Sequence, residues 1–309
     1  MSIIQAPSSV VMIRPHAFHP NPETSADNAF QTQALAEDVS TRARAEFDTA
    51  AGTLRAAGVT VHAFDDFGDG DTPDSVFPNN WFSTHTGGHV ALYPMYAENR
   101  RRERRADVIE MLKRDYRVSD VIDYSGLEQD GLALEGTGAM VLDHIGRIAY
   151  VARSNRADPV LLERFCAHFN YEPISFDATD AQGTAIYHTN VLMGIGTDYA
   201  LICLDMIPDP ERRQTVADRL AENGRVVIDL THDQVANFAG NAIELTGRTR
   251  VLAMSARAYQ ALRPDQLTII ERSAKPLPLA IPTIETAGGS VRCMLAGIHL
   301  TRRPERIAA

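Results

Sequence analysis

The sequence predicts an α/β protein of a single domain, residues 1–309, assembled from five small units set around a common axis. Three observations predict it. A short motif recurs five times at nearly constant spacing. A glycine-bearing turn and an apolar strand follow four of the copies, and a helical pattern separates one copy from the next. Units this small cannot bury their own apolar faces, so each needs its neighbours.

The motif is a polar or small pair followed by two apolar residues. It reads Asn79-Asn80-Trp81-Phe82, Thr137-Gly138-Ala139-Met140, Thr189-Asn190-Val191-Leu192, Gly240-Asn241-Ala242-Ile243 and Arg292-Cys293-Met294-Leu295, at intervals of 58, 52, 51 and 52 residues. Thr86-Gly87-Gly88, Asp143-His144-Ile145-Gly146-Arg147, Gly194-Ile195-Gly196-Thr197-Asp198 and Thr246-Gly247-Arg248-Thr249 each precede an apolar run. Such turns between apolar runs predict hairpins.

Helices are expected between the copies. Pro159 stands at a natural first-turn position, and residues 210–223 end at Gly224, a helix stop. Residues 27–57 and 99–116 also carry helical patterns, and Val10-Val11-Met12-Ile13 reads as the first strand. No proline- or serine-rich linker divides the chain. Five units closed into a ring would therefore leave a central channel in one domain.

Composition narrows the function. Acidic residues outnumber basic ones by 40 to 30, a formal charge of -10, which repels phosphate backbones and argues against nucleic acid as a partner. The basic run Arg100-Arg101-Arg102-Glu103-Arg104-Arg105 reads as a solvated helix face, because Asp107 and Glu110 follow it. No apolar run reaches the roughly 20 residues of a membrane span, and the first residues lack the basic flank of a secretory signal. Three cysteines point to a reducing cytoplasm without a disulfide framework. Cys166 falls in a helical apolar pattern and Cys203 in a strand-like run, so both read as core residues. Cys293 differs, because it lies inside the fifth copy.

Equivalent positions of such repeats face one axis, and an ionisable residue that breaks the pattern there is a site candidate. Asp74 precedes the first copy, Glu135 the second and His188 the third, while Cys293 interrupts the fifth. The fourth, with Phe238 and Ala239 ahead of Gly240, reads as structural filling. His16 with His19, and His85 with His89, have spacings that metals use, but no acid or cysteine groups with them, so no metal is expected. The glycine runs after Glu135 and Gly194 lead into hairpins rather than helices and are not nucleotide loops. No cofactor is called for.

Read together, Pro73-Asp74-Ser75-Val76-Phe77, Leu134-Glu135-Gly136, Ser154-Asn155-Arg156, Tyr187-His188-Thr189 and Gly288-Gly289-Ser290-Val291-Arg292-Cys293 resemble the guanidino-modifying pentein superfamily. Each motif is short, but their order and their placement on the repeats span nearly the whole chain. The likeness is strongest to dimethylarginine dimethylaminohydrolases and to bacterial citrulline-utilisation hydrolases, with arginine deiminases and amidinotransferases as further relatives. It implies a five-bladed α/β propeller of ββαβ units and a cysteine-dependent hydrolase of a guanidino or ureido amino acid in arginine metabolism.

The resemblance also implies roles. Cys293 would be the nucleophile, His188 the general acid and base, and Glu135 the carboxylate that orients the histidine or a substrate nitrogen. Asp74 would grip substrate N–H groups, and Arg156 would clamp the α-carboxylate with two prongs, with Arg153 as the fallback. Gly288-Gly289 would let the substrate approach the backbone closely. On their proline and asparagine content alone, residues 16–28 are the expected lid.

The departures from the pattern bear on the substrate. Asn79 and Asn80 replace an acidic pair of the dimethylarginine hydrolases, Asn190 replaces an aspartate of the deiminases, and Thr137-Gly138 stands where deiminases carry a second acid. A guanidinium a few ångströms from a carboxylate gains on the order of 4 kcal/mol at an effective dielectric near 20. Fewer acids favour a neutral ureido group, which asparagines at these three substrate-binding positions can serve as donors and acceptors. An amidinotransferase, with an amine in place of water, and a non-catalytic binding module are the rival readings. Homo-oligomerisation stays open.

Overall fold

The computed structural model describes residues 4–32 and 38–304. Strands β1 (Ser9–Pro15) and β2 (Thr60–Asp66) run parallel and are joined through the helix Val39–Ala56. Strands β3 (Phe82–His85) and β4 (His89–Leu92) form an antiparallel hairpin, and β5 (Asp120–Asp123) returns parallel to β4 after the helix Ala106–Asp115. The order of hairpin, helix and parallel strand recurs in β6 (Val141–Asp143), β7 (Ile148–Ala152) and β8 (Glu172–Phe176). It recurs again in β9 (Met193–Ile195), β10 (Tyr199–Ile202) and β11 (Val226–Asp229). A fourth instance is β12 (Ile243–Thr246), β13 (Arg250–Ser255) and β14 (Lys275–Leu279). Last in the chain, β15 (Ala296–Gly297) pairs antiparallel with β1, so the fifth sheet joins the two ends of the chain.

Burial explains the sequence pattern of each sheet. The central strands β7 and β10 are buried at every position and read as unbroken apolar runs. The outer strands β5, β11 and β14 are partly exposed, and β14 carries Pro276 and Pro278, which an edge strand tolerates. Asp158 and Asp209 cap the helices Pro159–Phe169 and Pro210–Ala221 by accepting backbone N–H bonds at their first turns.

Two expected helices are shorter than their patterns. Of residues 27–57, the helix occupies Val39–Ala56. Residues 29 and 30 form a turn, Gln31 bridges Ala287, and residues 33–37 lie outside the described residues. The pattern over 99–116 splits into Glu98–Arg101 and Ala106–Asp115. The break turns Arg100 and Glu103 inward, where both are buried, while Arg104 reaches Glu128. The basic run is therefore not a solvated face throughout.

Four motif copies form one helical turn leading into or toward the first strand of a sheet: Pro78–Asn80, Gly136–Ala139, Thr189–Leu192 and Val291–Met294. Hydrogen bonds link the copies in sequence order. Thr137 Oγ1 donates to the Asn79 carbonyl at 3.2 Å, Thr189 Oγ1 to Ala139 at 2.5 Å, and Asn241 Nδ2 to Asn190 at 3.0 Å. The Arg292 N–H donates to Asn241 Oδ1 at 3.0 Å, and the 291–294 turn packs against the 78–80 turn. The backbones approach so closely that a Cβ on Gly136, at φ +45°, would lie 2.5 Å from the Asn79 carbonyl oxygen. Among the described residues, no helix is long and apolar enough to cross a membrane.

A buried ion pair fastens β6 to the turn before β11. Arg225 Nη1 lies 2.5 Å from Asp143 Oδ2 and Nη2 lies 2.8 Å from Oδ1, with both side chains wholly buried. Removing one partner leaves an uncompensated charge at a cost of about 3–5 kcal/mol. Urea denaturation of Asp143→Ala at pH 7 is expected to show a loss of that size, and Asp143→Leu combined with Arg225→Met to recover most of it.

Candidate active site

The cavity where the repeats meet is lined by Cys293, His188, Asp74, Asn80, Arg100, Arg156, Tyr187 and Phe77, together with Asn28, Ala287 and Gly289. Its free space is only about 10 Å³, room for about one water. Admitting an amino acid therefore requires the segments over it to move. Cys293, on the turn Val291–Met294, is buried. Asn190 Nδ2 and Asn241 Nδ2 each lie 3.3 Å from its sulfur and donate to it. Asn190 thus stands behind the thiol, outside the cavity lining. The fourth copy, expected to be filling, supplies the second amide.

His188 precedes the turn Thr189–Leu192 and faces the same cavity. Its Nε2 lies 2.8 Å from Glu135 Oε2. An ionised carboxylate only accepts, so Nε2 carries the hydrogen and Nδ1 keeps the lone pair. Burial pushes the His188 pKa down against the upward pull of Glu135, which leaves a neutral imidazole able to take a proton. Glu135 is wholly buried and lies outside the cavity lining. It also accepts from the Tyr96 N–H at 3.0 Å and from Arg156 Nη1 at 3.4 Å. Burial pushes its carboxyl up, but Arg156, the His188 bond and Arg100 outweigh that and hold it well below the usual carboxylate range.

Asp74 Oδ2 accepts from Asn21 Nδ2 at 2.8 Å, while its Oδ1 is buried without a partner among the described residues. Burial raises the Asp74 pKa against the pull of Arg100. Asn79 is buried away from the cavity and holds Thr137, so of the expected asparagine pair only Asn80 lines it. With its amide oriented to satisfy its neighbours, Asn80 donates to Asn79 Oδ1 and accepts from Arg100 Nη1 and Nη2 at 2.9 and 3.1 Å.

Arg156 lines the cavity but is already engaged. Asp27 grips it with two prongs, Nε–Oδ2 at 2.9 Å and Nη2–Oδ1 at 2.5 Å, and its guanidinium lies 4.8 Å from the centre of the Tyr187 ring. The fallback Arg153 points outward to Asp177, with half of its side chain exposed. Gly289 lines the cavity, and a Cβ on Gly288 or Gly289 would strike Asn28 or Phe77. Segment 16–28 crosses the site: Asn21 holds Asp74, Asp27 holds Arg156 and Asn28 bonds Ala287.

Sequence reasoning missed Arg100, Asn241, Asp27 and Asn21. Arg100 pairs with Glu103 at 2.8 and 2.9 Å and lies 3.7 Å from Asp74 and 3.6 Å from Glu135. The lone glutamate three residues after it, within a run of arginines, was the signal available. Asn241 stands in the repeat itself, but it does not ionise, so no break in the pattern marks it.

Fold and site together define a guanidino-modifying hydrolase of the pentein superfamily, one that acts on a guanidino amino acid through a covalent cysteine intermediate. Residues 14–300 match the profile of the N,N dimethylarginine dimethylhydrolase family in its eukaryotic form, and the chain belongs to that family. Among curated proteins none matches. Of solved structures, the N-terminal domain of ArgZ, an arginine dihydrolase of cyanobacteria, superposes with TM-score 0.75 at 18% identity, over 95% of this chain and 98% of that one. The dimethylarginine hydrolase DDAH of Pseudomonas aeruginosa gives TM-score 0.63 at 14% identity, over 96% and 100% of the two chains. Full-length ArgZ is longer, and the match covers 41% of it. Likeness at these identities speaks for the fold alone.

Two outcomes follow from the geometry. Replacing Asn190 or Asn241 by alanine is expected to slow iodoacetamide labelling of Cys293 at pH 7 by roughly three- to tenfold, the size of one ordinary hydrogen bond. Cys166 and Cys203 should not compete, since burial pushes their thiols up to about 12 and about 11. The second concerns acid. The depressed Glu135 carboxyl contributes stability that is fully present above the unfolded value of about 4.3 and is lost as pH falls toward the folded one. Between pH 6 and pH 3, urea stability should therefore fall less steeply in Glu135→Gln than in the wild type.

Proposed function

We propose that this family member hydrolyses a neutral ureido amino acid of the citrulline type, with Cys293 as nucleophile, His188 as acid and base, and Glu135 orienting His188. Arg100 carries this reading. Its guanidinium lines the cavity within 3.7 Å of Asp74, so a substrate guanidinium gripped by Asp74 would stand beside a fixed cation. Two like charges about 4 Å apart repel by about 4 kcal/mol at an effective dielectric near 20. A ureido carbonyl instead accepts from such a donor, while its N–H groups donate to the free Asp74 oxygen.

The chemistry balances on two side chains. His188 takes the thiol proton as sulfur attacks the ureido carbon, then gives it to the departing nitrogen. It next deprotonates a water that cleaves the thiocarbamate, regenerating the thiol and releasing a carbamate, which loses carbon dioxide. Arg156 takes the substrate α-carboxylate once Asp27 withdraws, and segment 16–28 serves as the lid. The five sheets are the blades of one closed pseudo-symmetric propeller, a reading supported by the hydrogen bonds between successive motif copies and by the packing of the fifth against the first. Three unpaired cysteines agree with a cytoplasmic enzyme.

Turnover of a guanidino substrate is the second reading. Asp74 and Glu135 remain as acids, ArgZ is named an arginine dihydrolase, and the related AgrE has been captured with L-arginine. DDAH was captured with citrulline. Incubating the protein separately with citrulline, arginine, methylarginines and agmatine, with ammonia and products quantified by mass spectrometry, decides between them. Citrulline is expected to exceed arginine by at least about a hundredfold in kcat/KM, with no turnover by Cys293→Ala. Faster turnover of arginine would sink the ureido reading and keep the hydrolase; an amine acceptor in the product would make it a transferase.

A further inference from the structure

Arg292 and Cys293 are consecutive on one helical turn but line different cavities. The second cavity takes its polar lining from Arg292, His144, His299, Ser83, Thr84 and Thr137, and no acid lines it. Among the described residues no carboxylate pairs with Arg292; the bond its guanidinium makes is from Nη1 to the Leu295 carbonyl at 3.1 Å. His144 and His299 stack with ring centroids 3.8 Å apart, and His299 Nδ1 has no partner. Burial pushes His299 down to about 3 and Arg292 down to about 10, so the imidazoles are neutral and Arg292 supplies the positive charge.

A part-buried guanidinium without a counterion is unfavourable, and a chain of formal charge -10 had many acids from which to supply one. The free space is about 20 Å³, enough for one water-sized ion and too little for phosphate or an amino acid. We propose that this second cavity binds one small monovalent anion, of halide or formate size, held by Arg292 and by imidazole N–H groups of His144 and His299. The site is coupled to the thiol across the shared turn. A cation near a thiol favours the thiolate, so an anion that cancels the Arg292 charge lowers the reactivity of Cys293.

Bromide is the probe. Anomalous diffraction from bromide-soaked crystals is expected to place a peak beside Arg292, His144 and His299. In solution, bromide titrated at constant ionic strength against gluconate should slow iodoacetamide labelling of Cys293 several-fold and saturably. Arg292→Met should lose both the peak and the bromide effect. His299→Gln, which keeps the cation, should need more bromide for the same effect, and it serves as the test should Arg292→Met fail to fold. Bromide peaks confined to other places would overturn the proposal. So would an unchanged bromide dependence in a folded Arg292→Met, or in His299→Gln if that variant alone folds. Because the ion is located directly, the result does not depend on which amino acid the enzyme hydrolyses.

Discussion

Taking a carboxylate out of water costs several kcal/mol unless cations and N–H groups replace the lost hydration. Glu135 is wholly buried and meets that requirement through His188, Arg156 and the Tyr96 N–H, with Arg100 3.6 Å away. These partners come from separate stretches of chain. Tyr96 follows β4, Arg156 follows β7 and His188 precedes β9. One charge therefore fixes three loops relative to each other, and it fixes the tautomer of the histidine at the same time. The neighbouring guanidiniums depend on it in return, since without Glu135 Arg156 would rely on Asp27 alone and Arg100 would keep Glu103 and the more distant Asp74.

Much of this was legible in the sequence because a repeat is a geometric statement. Five motif copies at almost equal intervals place equivalent residues in equivalent surroundings, and the hairpin turns and helix caps after each copy are local chemistry. Cys293, His188 and Asp74 accordingly meet at one cavity. What stayed illegible depends on long-range contact. Whether Arg100 faces water or the interior is decided by a break in the helix, and that break is compensated by Asp74 and Asn80 from another stretch of chain as well as by Glu103 nearby. Asn79 and Asn80 are adjacent and chemically identical, yet one braces Thr137 and the other meets Arg100.

The motif turns also explain why the middle of the molecule is built from glycine, threonine and asparagine. Successive motif turns pack backbone against backbone, so a Cβ on Gly240 would fall 2.6 Å from the Val191 carbonyl oxygen, and one on Gly138 would strike the Asn80 side-chain amide. Short polar side chains satisfy the carbonyl groups left free at such a crossing. The same crowding separates the two cavities, with the thiol turned toward one and its neighbouring arginine toward the other.

The bond between Asp27 and Arg156 has a further meaning for selectivity. A tethered carboxylate is an internal competitor, present at high effective concentration wherever the substrate goes. If Arg156 takes the substrate carboxylate as proposed, an incoming amino acid would replace Asp27 like for like, one carboxylate for another on the same guanidinium, and the exchange would be nearly balanced in charge. A decarboxylated amine such as agmatine has nothing to offer Arg156 and would have to leave Asp27 in place, with the entrance shut. On that proposal the latch would work as a filter for the α-carboxylate, set before any bond to carbon is touched, at the cost of weaker apparent affinity for every substrate that passes.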